Sequence, residues 1–133
     1  MNSFIDSKIS KNYFMSNLIF VYGTLRWSEA RNSVLSDSEY LGLFQSCPEY
    51  TMVDLGSFPG IFKQGNNSII GEIYNVSKSV LETIDRIESH PDFYKRKLIK
   101  IQGIDNVSAY FLEKDEYHSY PEIKSGDWLR KNN

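Results

Sequence analysis

Glu88 is the residue whose type and position most clearly suit it to chemistry. If residues 77–89 form a helix, then at about 100° per residue Glu88 falls inside the sector that holds the helix's apolar side chains. A carboxylate in an apolar setting has a raised pKa, which suits it to accept and release protons near neutral pH. Ser79 and Glu82 fit a capping box, so Glu82 already has a structural role. The position of Glu88 in the apolar sector of the predicted helix therefore indicates a general acid and base.

Two alternatives to a catalytic Glu88 follow from the same residues. Glu88 could pair with Arg96, or the helix could end early and leave Glu88 in solvent near Pro91. Glu72 is a rival carboxylate, because on a strand it shares one face with Tyr74 and other apolar residues. Periodicity alone does not choose between Glu72 and Glu88.

A second candidate site is the segment Tyr22-Gly23-Thr24-Leu25-Arg26, which directly follows an apolar run of strand formers. Gly23 would allow the backbone to approach a ligand closely. Free backbone amides, with the Thr24 hydroxyl, could then bind a carboxylate or an oxyanion. The alternative is an ordinary strand-terminating turn. The segment lacks the glycines and the lysine of a phosphate-binding loop.

Composition and charge argue against several classes of function. The chain has 133 residues and a net charge of −2, without a block of like charge, so neither nucleic acid nor an anionic membrane is indicated as a partner. Cys47 is the single cysteine, and His90 and His118 are isolated, so we expect no internal disulfide, no zinc site and no hydrolase triad. Without a signal peptide or an apolar run that could span a bilayer, we expect a cytoplasmic protein.

The elements that must position these residues belong to an α+β domain. Six apolar, aromatic-rich segments are typical of strands, so we expect at least five strands; the segments are residues 18–22, 40–44, 50–53, 69–76, 93–101 and 107–112. Residues 55–60 are rich in turn residues and are expected to form a loop that lines a site. We expect a largely antiparallel sheet that could close on itself, in one domain over residues 17–133. Residues 1–16 are expected to form an extension, whose disorder is an open question.

Six motifs in order resemble the gamma-glutamylcyclotransferase-like family, which includes gamma-glutamylamine cyclotransferase and AIG2-like proteins. The resemblance covers the chain from about Leu18 to Trp128. The motifs are Phe20-Val21-Tyr22-Gly23-Thr24-Leu25-Arg26, Pro59-Gly60, Gly71-Glu72-Ile73-Tyr74, Ile84-Asp85-x-x-Glu88, Tyr94-x-Arg96 and Ser125-Gly126-Asp127-Trp128.

The resemblance implies a small mixed β-barrel with flanking helices and a defined reaction. The α-amino group of a γ-glutamyl unit attacks its own γ-carbonyl, which releases 5-oxoproline and a free amine or amino acid without a metal or cofactor. By resemblance, Tyr22, Gly23, Thr24 and Leu25 bind the γ-glutamyl group, and Glu88 is the acid and base. The partner is therefore expected to be a small γ-glutamyl compound.

Two departures from the family and one alternative function stand beside this expectation. The family often has a glycine after the helix acid where this chain has Ser89, so we expect a differently shaped exit from the helix. Tyr110 lies at a shifted place relative to a family tyrosine and is left out of the predicted catalytic set. The alternative is a non-catalytic module that binds a small ligand in the same pocket. The leaving group is open among glutathione, γ-glutamyl amino acids and γ-glutamyl-lysine, and both a monomer and a weak homodimer are compatible with the sequence.

Overall fold

The computed structural model describes residues 17–27 and 29–131. The N-terminal extension predicted over residues 1–16 lies outside this part of the chain. The described residues form seven strands, one α-helix and three short 3₁₀ helices. The strands are β1 (Asn17–Val21), β2 (Glu39–Gln45), β3 (Tyr50–Asp54), β4 (Pro59–Asn67), β5 (Ile70–Val76), β6 (Lys95–Leu98) and β7 (Val107–Phe111), the α-helix is α1 (Lys78–Ile87), and the 3₁₀ helices are Asn32–Leu35, Asp115–Ser119 and Trp128–Arg130.

The strands form two sheets. Five of them make a sheet in the order β2-β5-β1-β7-β6, in which the β1–β7 pair is parallel and the other pairs are antiparallel. The remaining two, β3 and β4, form an antiparallel hairpin. A hydrogen bond of 2.8 Å from the Leu112 amide to the Ile61 carbonyl links the end of β7 to this hairpin. The predicted α+β class with a largely antiparallel sheet is confirmed, but the sheet is not closed into a barrel.

The apolar run of β1 is explained by burial on both faces of the larger sheet. Leu18 and Phe20 belong to a core cluster that includes side chains of the β3–β4 hairpin. Ile19 and Val21, which point to the opposite face, belong to a second cluster with the helix. A strand that is buried on both faces has no position for a polar side chain, so β1 lacks the alternation of a half-exposed strand. Strand β1 ends directly before the candidate site that begins at Tyr22.

Helix α1 is shorter than predicted at both ends. Ser77 is its N-cap, and the Ser77 hydroxyl accepts a hydrogen bond of 3.2 Å from the Val80 amide. The predicted capping box of Ser79 and Glu82 is therefore wrong, because the helix begins before Ser79. The helix ends at Ile87. Within residues 17–27 and 29–131, no helix is long and apolar enough to cross a membrane.

Strand β4 was missed, because its first residues were assigned to the predicted loop over residues 55–60. Its second half is exposed and polar, so the segment lacks the apolar pattern of a strand. Gly60 is required there by close packing, since a Cβ atom at this position would lie 2.2 Å from Leu112 Cδ1. The loop that remains between β3 and β4 carries Phe58, which is partly exposed.

Candidate active site

A cavity of about 490 Å³ opens where β1 ends. One wall is the loop Tyr22–Leu25, and another is the end of α1, with Ile87, Glu88 and Ser89. The β3–β4 loop and the segment that leads into β6 complete it. The two regions that the sequence predicted as functional therefore meet around one cavity, although they lie more than 60 positions apart in the chain.

Glu88 presents an unpaired carboxylate to this cavity. It caps the C-terminal end of α1, where its amide donates a hydrogen bond of 2.9 Å to the Ile84 carbonyl. Its side chain makes no hydrogen bond or ion pair with any residue that the structure describes. Burial raises the pKa of Glu88 to about 7, and the positive charge of Arg31 opposes part of that increase. At neutral pH, Glu88 is poised between its two protonation states.

The cation that could have paired with Glu88 is bound elsewhere. Arg96 contacts Asp85 through two hydrogen bonds, with Nε 3.0 Å from Oδ1 and Nη2 3.2 Å from Oδ2. Tyr110 donates a third, its hydroxyl lying 2.6 Å from Asp85 Oδ1. Burial tends to raise the pKa of Asp85, but the bonds from Arg96 and Tyr110 outweigh it and lower the pKa. Arg96 is thus paired with Asp85, and the alternative in which Glu88 pairs with Arg96 is wrong.

The backbone after α1 turns sharply and keeps Glu88 at the cavity. Ser89 has a φ of 53°, in the left-handed region that glycine enters at least cost. The turn is fixed by hydrogen bonds from the Phe93 amide to the Ser89 carbonyl, 2.9 Å, and from the Tyr94 amide to the Glu88 carbonyl, 3.3 Å. The serine that departs from the family's frequent glycine therefore occupies a position for which glycine is well suited.

The loop Tyr22–Leu25 presents unused hydrogen-bond donors. The amides of Thr24 and Leu25, and the Thr24 hydroxyl, donate no hydrogen bond within the described part of the chain. Gly23 is needed for close packing, because a Cβ atom there would lie 2.9 Å from the ring of Pro59. The Arg31 amide donates to the Thr24 carbonyl at 2.8 Å and fixes the loop from outside. Such a set of free amides suits an anion.

Three tyrosine hydroxyls at the cavity donate their protons to protein acceptors. Tyr22 donates to the Tyr110 carbonyl at 2.6 Å, Tyr94 donates to the Pro59 carbonyl at 2.5 Å, and Tyr110 donates to Asp85. Burial is the largest cause that raises the pKa of each of these tyrosines. Their oxygens are left as acceptors. Tyr94 and Tyr110 were absent from the predicted site, although the spacing Tyr94-x-Arg96 already marked the first of them.

The sequence profile of the family described as "Gamma-glutamyl cyclotransferase, AIG2-like" matches residues 19–130. The chain belongs to this family. A Vibrio cholerae protein that carries the gamma-glutamylcyclotransferase name is 35% identical over 117 residues, 88% of this chain and 99% of the relative. Gamma-glutamylaminecyclotransferase B of Danio rerio is 31% identical, over 86% of this chain and 64% of the relative. The solution structure of Escherichia coli ytfP superposes with a TM-score of 0.66 at 30% identity, over 87% of this chain and 99% of that one.

Membership of the gamma-glutamyl cyclotransferase family makes a gamma-glutamylcyclotransferase activity the function at the level of the family. The family motifs also separate into two groups in this structure. Some of them line the cavity, as Tyr22-Gly23-Thr24-Leu25 and Glu88 do. Arg26, Glu72, Tyr74 and Asp127, from three other stretches of the motifs, lie outside it and form a hydrogen-bonded network.

Glu72, the rival carboxylate, has a structural environment. Its Oε2 lies 3.3 Å from Arg26 Nε, and its Oε1 accepts hydrogen bonds from the Trp27 amide at 2.8 Å and the Tyr74 hydroxyl at 3.1 Å. Arg26 also contacts Asp127 Oδ1 at 2.8 Å. Glu72 is buried and lies outside the cavity as the described residues define it. It anchors the chain directly after the loop Tyr22–Leu25.

No metal centre is formed by residues 17–27 and 29–131. Within these residues, no group of three histidine, cysteine, aspartate or glutamate side chains is placed to hold a metal ion. The charged side chains at the cavity are Glu88 and Arg31. The arrangement is suited to proton transfer and to binding an anion.

Proposed function

We propose that this member of the family converts a γ-glutamyl amine or γ-glutamyl amino acid to 5-oxoproline and a free amine, by intramolecular aminolysis. The observation that carries the proposal is the unpaired, partly buried carboxylate of Glu88, with its pKa raised to about 7, in the lining of a cavity that also includes Thr24 and Leu25, whose amides are free. The reaction needs a group that first removes a proton and then returns it. Glu88 has the pKa for both steps.

The first step deprotonates the nucleophile and closes the ring. The α-ammonium of the γ-glutamyl unit gives a proton to the Glu88 carboxylate. The resulting amine attacks the γ-carbonyl carbon, a carbon–nitrogen bond forms, and the carbonyl π electrons move to oxygen. In the second step the oxyanion re-forms the carbonyl, the amide bond to the leaving nitrogen breaks, and Glu88 delivers its proton to that nitrogen. The second proton of the ring nitrogen then passes through Glu88 to the released amine, which gives a neutral lactam and an ammonium group. Glu88 is ionised again at the end of the cycle.

Substrate binding is assigned to the loop and to the tyrosines. The free amides of Thr24 and Leu25 hold the α-carboxylate of the γ-glutamyl unit, with the Thr24 hydroxyl as an added donor. The tyrosine oxygens, whose own protons point to protein carbonyls and to Asp85, accept from the ammonium group. These contacts hold two substituents of the α-carbon, its carboxylate and its ammonium group, so the amine is directed at the γ-carbonyl.

Positioning is the larger part of this catalysis. An intramolecular attack from a correctly bent conformer is worth about 7–11 kcal/mol, equivalent to an effective molarity of about 10⁵–10⁸ M. Proton transfer by a placed side chain adds a rate factor of about 10²–10⁴. Positioning and proton transfer together therefore account for an acyl transfer of this kind.

The proposal is tested by measuring 5-oxoproline release from a panel of γ-glutamyl-alanine, γ-glutamyl-ethylamine, glutathione and γ-glutamyl-ε-lysine. Glu88→Gln is expected to lower turnover by about 10²–10⁴-fold while the circular dichroism spectrum stays unchanged. Glu82→Gln, at an exposed position on the same helix, is the matched control and is expected to retain wild-type turnover.

Two results would contradict the proposal in different ways. Wild-type turnover in Glu88→Gln would show that Glu88 is not the general acid and base. A folded wild type that releases no 5-oxoproline, yet gains thermal stability with γ-glutamyl compounds, would identify a binding module in place of an enzyme.

A further inference from the structure

Arg31 is a cation at the rim of the cavity, and its side chain has no protein partner among the described residues. Its backbone is fixed, because its amide donates to the Thr24 carbonyl at 2.8 Å and its carbonyl accepts from the Val34 amide at 3.2 Å. Its guanidinium group makes no hydrogen bond or ion pair within residues 17–27 and 29–131, and the residue is exposed. A fixed backbone with an uncommitted charged group is the arrangement of a binding residue.

The guanidinium group is within electrostatic reach of the catalytic end of the cavity. The charge of Arg31 acts to lower the pKa of both Glu88 and Tyr94. The remaining arginines near the site are engaged, Arg26 with Glu72 and Arg96 with Asp85. Among the described residues that line the cavity, Arg31 is the one with a cationic side chain.

The γ-glutamyl unit has one carboxylate, and the cavity has two places for an anion. The first consists of the amides of Thr24 and Leu25, and Leu25 is buried. The second is Arg31, which is exposed at the rim. The unit that is cyclised must lie beside Glu88, whereas the leaving group must point to the opening through which it departs. If the amides take the carboxylate of the γ-glutamyl unit, Arg31 is the anion site that is left for the leaving group.

The cavity lining also offers aromatic surface. Phe58 and Phe93 line the cavity and pack edge to face, with ring centroids 6.0 Å apart. Phe58 is 37% exposed, so part of its ring is available to a ligand. A cation and an aromatic surface in the lining of one cavity suit a leaving group that combines a carboxylate with carbon substituents.

We infer that Arg31 binds a carboxylate of the leaving group, so that γ-glutamyl amino acids are preferred over γ-glutamyl amines. This inference rests on the proposed function and assigns its substrate class. A charge-assisted hydrogen bond from a guanidinium group to a carboxylate is stronger than one between neutral groups. Arg31 is thus a specificity residue for the half of the substrate that is released as a free amino acid.

The test uses two substrates that differ in one group. γ-Glutamyl-ethylamine is γ-glutamyl-alanine without its alanine carboxylate, so the ratio of the two kcat/KM values isolates that carboxylate. Arg31→Gln is expected to lower the ratio, alanine compound over ethylamine compound, by about 10–100-fold. Arg31→Lys is expected to keep an intermediate ratio because it keeps the charge. Arg86→Gln is the matched control, since Arg86 is exposed on α1 and its guanidinium contacts Thr83, and it is expected to keep the wild-type ratio.

The ratio of the two kcat/KM values also separates binding of the leaving group by Arg31 from an effect of Arg31 on the pKa of Glu88. Both substrates use the same acid and base, so a change in the pKa of Glu88 alters both kcat/KM values and leaves the ratio unchanged. An unchanged ratio in Arg31→Gln would overturn the inference and leave the proposed function standing. Absence of 5-oxoproline from both substrates with folded wild-type protein would overturn the proposed function, and the inference with it.

Discussion

Glu72 and Glu88 are two carboxylates in apolar surroundings, and they differ in what contacts them. Glu72 accepts hydrogen bonds from Arg26, Trp27 and Tyr74. Glu88 has no such partner in the described part of the chain, and burial raises its pKa to about 7. The first is satisfied and rigid, and the second is available to a ligand. The partners of these two carboxylates therefore decide their roles more than burial does.

The largest difference between substitutions at Glu88 and at Glu72 is expected in the rate of 5-oxoproline release. Glu88→Gln is expected to reduce 5-oxoproline release by about 10²–10⁴-fold, because it removes the proton acceptor. Glu72→Gln, measured on the folded fraction, is expected to stay within about tenfold of wild type, because Glu72 lies outside the cavity. A larger loss of activity in Glu72→Gln than in Glu88→Gln would reverse the two roles.

The stability of the two variants is expected to show the opposite order. Glu72→Gln removes one of the two carboxylates that contact the buried Arg26 guanidinium and leaves Asp127 as its remaining partner, which is expected to cost about 1.5–3 kcal/mol of unfolding free energy. Glu88→Gln removes a carboxylate that has no partner, so no comparable loss is expected. Urea denaturation of both variants at pH 7 measures the two values. Equal destabilisation by both substitutions would contradict the assignment.

The raised pKa of Glu88 also makes stability depend on pH. Between the ordinary value of 4.5 and about 7, the folded protein holds a proton on Glu88 that the unfolded chain releases. The contribution of the Glu88 carboxyl group to the unfolding free energy is therefore fully present below pH 4.5 and is lost as the pH rises through about 7. Relative to Glu88→Gln, the wild type is expected to lose about 1–3 kcal/mol between pH 5 and pH 8. A constant difference between the two proteins across this range would disprove the raised pKa.

The smallest effect is expected at Asp85, a paired carboxylate one turn before Glu88. Asp85→Asn weakens the contact to Arg96 and frees that cation, which is expected to cost about 1 kcal/mol of stability. The freed positive charge is also expected to lower the pKa of Glu88. Denaturation and the pH profile of turnover measure the two effects. An unchanged profile would show that Asp85 does not hold Arg96 away from Glu88.

The local pattern of apolar and polar residues was sufficient to predict strand β1 and helix α1. The apolar run of β1 and the amphipathic helix carry strong signals, and both elements are present where predicted, apart from the helix ends. The helical period also placed Glu88 on the buried face, at the cavity. Strand β4 was missed because its second half is polar and exposed.

The pairing of charges could not be predicted in the same way. Arg26 and Glu72 are 46 positions apart, and Asp85 and Arg96 meet through a turn that includes the left-handed Ser89. Such contacts depend on the tertiary fold, so one sequence leaves the partner of each glutamate open. Arg31 was missed for the same reason, since its position at the cavity depends on the path of the chain after β1.

We propose that turnover depends on the ionisation of Glu88, and the decisive measurement is the pH dependence of kcat/KM for 5-oxoproline release. The wild type is expected to gain activity as the pH rises towards about 7, because the carboxylate form accepts the proton from the substrate. Arg31→Gln is expected to move this rise to higher pH, since it removes a charge that lowers the pKa of Glu88. A profile that is flat between pH 5 and pH 7, or the same rise in the residual activity of Glu88→Gln, would contradict the account.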